Sequence, residues 1–361
     1  MSEVTAPAAA AARLAWDGWR PPDTRRRLQL ALGALWLLAA ILQYQHVMFT
    51  RSFSQSLAAT AAGNPAVLAH PIAWTASLVG QHVVALNGVF ATVQLVLALG
   101  IAWRPTVRIA LAASIGWALA VWWLGEGFGG VLTPAPSPVT GAPGPVILYA
   151  LLAVLLWPRD SAAAAPFTAA RAVGAPAARA LWLILWASLA YFALLPANRA
   201  PLALHDMITG MAAGEPGWLT AIMHAAGGPL AYHGLAASIV LAVLLAAIAA
   251  GCYLPRPVAR ATLILAIVVA VAIGVIGQAL GGILTGMSTD PGSGPLLILL
   301  AIAYWPAGLG QDAALAAQDA GLAGRVAALA AQDAGQAGRM AASAAQDAGQ
   351  AGRVAEFAGE H

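Results

Sequence analysis

The chain has 361 residues, of which 61 % are hydrophobic and only 9 % charged, with a formal net charge of +3. Soluble domains carry about 25 % charged residues, so this chain has too little charge to cover a water-facing surface and reads as a polytopic membrane protein. The single cysteine excludes an intramolecular disulfide and a cysteine zinc cluster, and the absence of lysine excludes a phosphate-binding Gly-x-x-x-x-Gly-Lys loop.

In chain order, residues 1–27 form a polar, basic segment with Arg13, Arg20 and Arg25 to Arg27. The apolar stretch at 28–46 follows a long leader and precedes no small-residue cleavage site, so it reads as a first span and not as a signal peptide. Further apolar stretches at 83–103, 107–124, 142–158, 179–196, 231–254, 258–278 and 293–306 bring the expected spans to eight. The fourth and eighth are short and are entered through Gly/Pro-rich segments, Pro134 to Pro145 and Gly286 to Pro295. Such segments can dip into a membrane where their backbone is buried in protein or faces water.

Arginine placement tests the count. With the N-terminus inside, 15 of the 17 arginines fall on the inner face, leaving Arg51 and Arg199 outside. This agrees with the positive-inside rule, and both termini are expected in the cytoplasm of a bacterial cell, with the spans in its inner membrane. Trp103, Trp157 and Trp305 fall at inner span ends, and Trp122 and Trp123 at an outer one, the levels that aromatic belts occupy.

The two halves match at an offset of 151 to 152 residues. Gly63-Asn-Pro65 matches Gly214-Glu-Pro216, His82 matches His233, and Arg104-Pro105-x-x-Arg108 matches Arg256-Pro257-x-x-Arg260. Most specific is the run Gly125 to Thr133 against Gly277 to Thr285, which shares Gly129-Gly130 and Gly281-Gly282. Four spans per unit is an even number. The expected fold is therefore all-α, with two parallel four-helix repeats about a pseudo-two-fold axis along the membrane normal. The repeats would occupy 28–158 and 179–306, joined by a cytoplasmic linker at 159–178.

The repeat unit resembles the DoxX-like (DoxX/DoxD/MauE) superfamily of four-helix membrane proteins. The resemblance lies in the first span, the polar outer segment with Gly63-x-Pro65, the span bearing Asn87 and Gln94, and the Gly125 to Gly130 turn. It implies a quinone-linked or accessory subunit of a membrane redox complex, without catalytic activity of its own.

Residues 307–361 form an Ala/Gly-rich cytoplasmic tail. Ala-Ala-Gln-Asp-Ala-Gly-x-Ala-Gly-Arg recurs at 316, 330 and 344, and Leu315, Leu322 and Leu329 are spaced by seven. That spacing suits a coiled-coil seam, but the seam then passes to Gln336, Ser343 and Gln350. Each glycine costs a helix about 1 kcal/mol relative to alanine. A marginal helix and a self-association domain are both open readings.

Candidate chemistry gathers at the outer face, where six of the seven histidines fall. At 1.5 Å per residue, His82, Glu126 and His46 each rise roughly 27–32 Å from the inner end of their span and share one level. Glu126 is the lone acid close to a span in the first half, and an ionisable group there is a functional candidate. With His82, Asn87, Gln94 and Trp122 it could form a polar pocket for a quinone head group or for proton transfer. His233 and Gln278 take the corresponding level in the second half. The plainer alternative leaves Glu126 solvated and His82 bonded to a loop.

A second constellation on the outer loops is His46 with Met48, His205 with Met207, and Met223 with His224. Imidazole and thioether ligands suit copper, although methionine is also a common packing residue. Haem held by His82 and His233 is a further reading by symmetry. The functional classes left open are a quinone-associated accessory subunit, an outer-face copper binder or transporter, and a structural scaffold. The partners expected are the lipid bilayer, other membrane subunits or a second copy through the tail, and not nucleic acid. Because Glu126, Asn87 and Gln94 stand where the second half has Gln278, Ser238 and Leu245, any pocket is expected to be more polar in the first half.

Overall fold

A computed structural model describes residues 23–159 and 165–306, together with Leu329, Gln332 and Gln336 of the tail, which are helical. Most of the basic leader, five residues of the linker and nearly all of the 14-residue repeats lie outside the described residues. The chain divides into Met1–Pro306 and Ala307–His361, and the helices below belong to the first unit.

Twelve helices carry the architecture. The first six are α1 (Thr24–Gln43), α2 (Arg51–Ala59), α3 (Ala66–Gln81), α4 (Val83–Ala102), α5 (Val107–Leu124) and α6 (Pro145–Leu155). The second six are α7 (Ala175–Ala193), α8 (Ala203–Met211), α9 (Gly217–Gly227), α10 (Gly234–Gly251), α11 (Arg256–Ala272) and α12 (Ser293–Ala303). Among the described residues no strand forms beyond a single bridge between Phe167 and Pro306. The boundaries follow local chemistry. Asp23 caps α1 by accepting from the Arg26 N–H at 2.8 Å. Proline occupies the first turn of α6, α7 and α11, where its missing N–H leaves no bond unmade.

Among the described residues, five helices are long and apolar enough to cross a membrane: Val83–Ala102, Arg104–Leu124, Ala175–Ala193, Gly234–Gly251 and Arg256–Gly277. Three of the eight expected spans differ. α1 has 20 residues, but its first turn holds Arg25, Arg26 and Arg27, which shortens its apolar stretch. α6 and α12 have 11 residues each, about 16 Å of helix against a hydrocarbon core of about 30 Å. The segments expected from the sequence to be outer loops are instead helical, as α2, α3, α8 and α9.

Packing pairs recur in the same order in both halves. α1 packs on α4 and α7 on α10; α5 packs on α6 and α11 on α12; α2 packs on α3 and α8 on α9. α6 and α12 also pack on one another, joining the halves. A continuous apolar core from Leu28 to Tyr304 runs through α1, α4 to α7 and α10 to α12. A smaller core sits under α8 and α9, where Leu204, Ile208, Leu219 and Met223 meet Val139 and Ala279.

Buried polar side chains tie the helices across this core. Gln43 of α1 donates from Nε2 to Asn87 Oδ1 of α4 at 2.5 Å, and Asn87 Nδ2 donates to the Gln43 carbonyl at 2.9 Å. Trp36 donates to Ser114 Oγ at 2.9 Å, and Trp182 to the Ile248 carbonyl at 2.8 Å. Asn87→Leu strands both Gln43 groups in an apolar wall. It is expected to lower stability by about 1–2 kcal/mol, read by unfolding in mixed micelles.

Candidate functional site

The first six helices line an open-mouthed cavity of about 650 Å³, within the 300–1,000 Å³ usual for small-molecule sites. Its walls are largely apolar, and each helix brings one aromatic ring: Trp36 from α1, Phe53 from α2, Trp74 from α3, Phe90 from α4, Trp117 from α5 and Tyr149 from α6. The rings brace one another, with Trp36 and Tyr149 centroids 4.3 Å apart and Phe90 and Trp117 5.7 Å apart. Met287, Thr289 and Asp290, from the loop ahead of α12, complete the lining. The second half thus contributes to the first half's site.

The second half has the same helix pairs around a filled interior. Where α2 and α3 frame open space, α8 and α9 close on Leu204, Ile208, Leu219 and Met223, each at most 6 % exposed. The helix order is shared, and the open interior is found in the first half.

Four cavity-lining side chains each carry a buried polar atom with no hydrogen-bond partner: Gln94 Oε1, Trp117 Nε1, Tyr149 Oη and Glu126 Oε2. Buried polar groups are paired in the great majority of cases, and these four face one cavity. Glu126 is fixed by the turn after α5. Its Oε1 accepts from the Val146 N–H at the start of α6 at 3.3 Å. Its Oε2 lies against Gly144, where a Cβ would come within 2.2 Å of it. Burial, and then the nearby Asp290 carboxylate, hold the Glu126 carboxyl well above the ordinary range, and the Val146 N–H only partly opposes them. Asp290 is also raised by burial, offset by the Gly292 N–H at 2.8 Å and the Thr289 hydroxyl at 3.2 Å. The neutral acid is therefore favoured at Glu126, and a neutral carboxyl can donate.

Glycine makes this turn possible. Gly129, at φ +60°, lies so close to the Pro143–Gly144 peptide that a Cβ would fall 2.0 Å from the Pro143 oxygen. Gly281, at φ +73°, meets Pro291–Gly292 in the same way, its Cβ position 2.6 Å from the Gly292 nitrogen. Gln278 takes the place ahead of α12 that Glu126 takes ahead of α6. Its Oε1 accepts from the Ser293 N–H at 2.8 Å and its Nε2 donates to Ser293 Oγ at 2.7 Å.

No family model, curated protein or solved structure matches the chain.

Of the residues singled out from sequence for a polar pocket, Glu126 and Gln94 line the cavity. Asn87 is buried just beside it, spent on Gln43, which is itself in the lining. Trp122 stands behind the wall, donating to the Pro143 carbonyl at 2.6 Å and holding the loop that Gly129 touches. His82 is exposed at the break between α3 and α4 and does not reach the cavity. His233 is exposed ahead of α10, its Nδ1 2.8 Å from the Ala231 carbonyl. Gln278 is buried and paired with Ser293 outside the cavity lining.

The His/Met set is dispersed. Met48 is buried in the cavity wall while His46 is exposed. Met223 is fully buried in the core under α8 and α9 with Met207 packed beside it, and His224 is exposed. His205 Nδ1 lies 3.0 Å from the Gly227 carbonyl. Among the described residues no group of three or more His, Cys, Asp or Glu is placed to hold a metal. Residues that sequence reasoning missed are Trp36, Phe90, Trp117, Tyr149 and, above all, Asp290.

Proposed function

We propose that this is a multi-pass bacterial inner-membrane protein whose first half binds a small amphipathic molecule, with a quinone head group the best match to the cavity. The observation that carries the reading is the set of unpartnered groups. Trp117 N–H, Tyr149 O–H and a protonated Glu126 are donors, against one acceptor, Gln94 Oε1. A ring with two carbonyl oxygens uses such donors, and its apolar body suits the aromatic walls. The DoxX-like resemblance points to the same class of ligand and to an accessory role beside other membrane subunits.

The topology proposed with it has eight passes in two parallel halves, related by an approximate two-fold axis along the membrane normal, with both termini cytoplasmic. The recurring helix order, the paired contacts of Gly129 and Gly281, and the distribution of arginines support it. In a Cys252→Ser background, Asn64→Cys and Glu215→Cys are both expected to react with a membrane-impermeant maleimide from outside, and Ala175→Cys only after permeabilisation. Labelling of positions 64 and 215 from opposite sides would overturn the parallel arrangement.

Ligand binding is tested with decylubiquinone and protein in nanodiscs, read by quenching of tryptophan fluorescence. Saturable binding is expected. Trp117→Phe removes one donor and should weaken it about fivefold, the equivalent of about 1 kcal/mol for a hydrogen bond. Quenching no greater than in discs carrying an unrelated protein would remove the quinone reading.

A further inference from the structure

The cavity holds two carboxyl groups and no arginine or histidine side chain. Glu126 comes from the turn after α5 and Asp290 from the loop ahead of α12; both line the cavity, and the Asp290 carboxylate disfavours ionisation of Glu126. The surrounding elements bring no compensating charge. α1 contributes Trp36 and Gln43, and α2 and α3 contribute hydroxyl and apolar side chains. α4 and α5 contribute Phe90, Gln94 and Trp117, and α6 contributes the Tyr149 phenol, the remaining titratable group in the lining. Glu126 Oε2 has no hydrogen-bond partner. Aromatic faces attract cations by about 0.5–2 kcal/mol each, and a carboxylate attracts them more strongly away from bulk water.

We propose that the cavity also takes lipophilic monovalent cations with aromatic substituents, each entering in exchange for one proton released from Glu126. The charge of the site is then conserved: one cation enters, Glu126 becomes a carboxylate, and its proton goes to bulk water. Trp36, Phe90 and Trp117 provide faces for the cation's rings, and Asp290 provides the second carboxyl. This goes beyond binding of a neutral quinone, which uses the protonated form of Glu126 as a donor.

Tetraphenylphosphonium is the probe, because its charge is permanent and only the protein titrates. Binding to the full chain in nanodiscs is measured by equilibrium dialysis against empty discs, between about pH 5.5 and pH 8.5. Affinity is expected to rise by up to about tenfold per pH unit, the limit for exchange of one proton. An indicator dye in weak buffer should report one proton released per cation bound. Glu126→Gln should abolish the release and lower alkaline affinity more than tenfold. Asp290→Asn should weaken binding while leaving the release intact. Both variants are checked by gel filtration and thermal unfolding, and the proton count on the parent protein stands whether or not they fold. No binding above empty discs, pH-independent affinity, or release that persists in folded Glu126→Gln would overturn the proposal. Decylubiquinone titrated into the same samples separates the two readings. Loss of quinone binding with intact cation exchange removes only the quinone reading, and the converse removes only this one.

Discussion

Gly129→Ala is expected to destabilise the protein by more than about 4 kcal/mol, enough to deplete it from membranes. Two costs add. The backbone at φ +60° disfavours any side chain by about 1–2 kcal/mol. The new methyl would also lie 2.0 Å from the Pro143 oxygen and 2.3 Å from the Gly144 nitrogen. These are backbone atoms and no rotamer change relieves them. The loop would have to retreat, and with it the start of α6 and the Glu126 contact. Gly281→Ala should behave alike, since its Cβ would lie 2.5 Å from the Pro291 carbonyl carbon. Gly88, inside α4, has no atom within 4 Å of its Cβ position. Gly88→Ala should be neutral or stabilise by up to about 1 kcal/mol through helix propensity. Thermal unfolding in one detergent compares all three. A Gly129→Ala protein melting within about 2 °C of the parent would show that the close approach is not needed.

The same glycines show what a sequence can carry. Gly129-Gly130 and Gly281-Gly282 recur with their neighbours because two backbones meet there, and a recurring contact leaves a recurring residue. Apolar runs of about 18–20 residues, as in α4, α5 and α10, are legible because composition alone commits them to a helix in lipid. α2, α3, α8 and α9 were not legible as helices. α2, α8 and α9 are short, all four mix apolar residues with serine, threonine, histidine or glutamine, and α8 and α9 take their order from the core beneath them.

Depth along a helix could be counted, but direction around it could not. His82 and Glu126 stand at the same height by helical rise, yet His82 sits in the break between two helices and faces out. Glu126 is turned inward by the Gly127 to Gly130 bend. Asp290 was invisible for another reason: 164 positions separate it from Glu126, and only the packing of α6 on α12 brings its loop to the cavity. Met223 and His224 are adjacent in sequence and point to opposite environments. That is the expected geometry of neighbours on a helix and the reason a ligand pair inferred from adjacency did not assemble there.

Glu126→Gln is expected to make the protein more stable than the parent near neutral and alkaline pH and to flatten its stability profile. In the unfolded chain Glu126 titrates near its ordinary value of 4.5, whereas in the folded protein burial, and then Asp290, raise it well above that. The folded state thus holds a proton that the unfolded state releases. Parent stability should be greatest below about pH 4.5 with respect to this group and fall as pH rises through the folded-state value, by at most about 1.4 kcal/mol per pH unit. Asp290 is raised in the same sense from 3.8 and adds a loss that begins at lower pH. An amide removes the ionisation without forfeiting the contact to α6. Gln278 makes the corresponding bond to Ser293 at 2.8 Å with its side-chain oxygen, so glutamine at 126 can keep accepting from Val146. Unfolding midpoints of parent and variant, measured from about pH 5 to about pH 8, should diverge as pH rises. Midpoints that stay parallel across that range would mean that Glu126 is ionised in the folded protein throughout, and its role as a hydrogen-bond donor in the cavity would fall with that result.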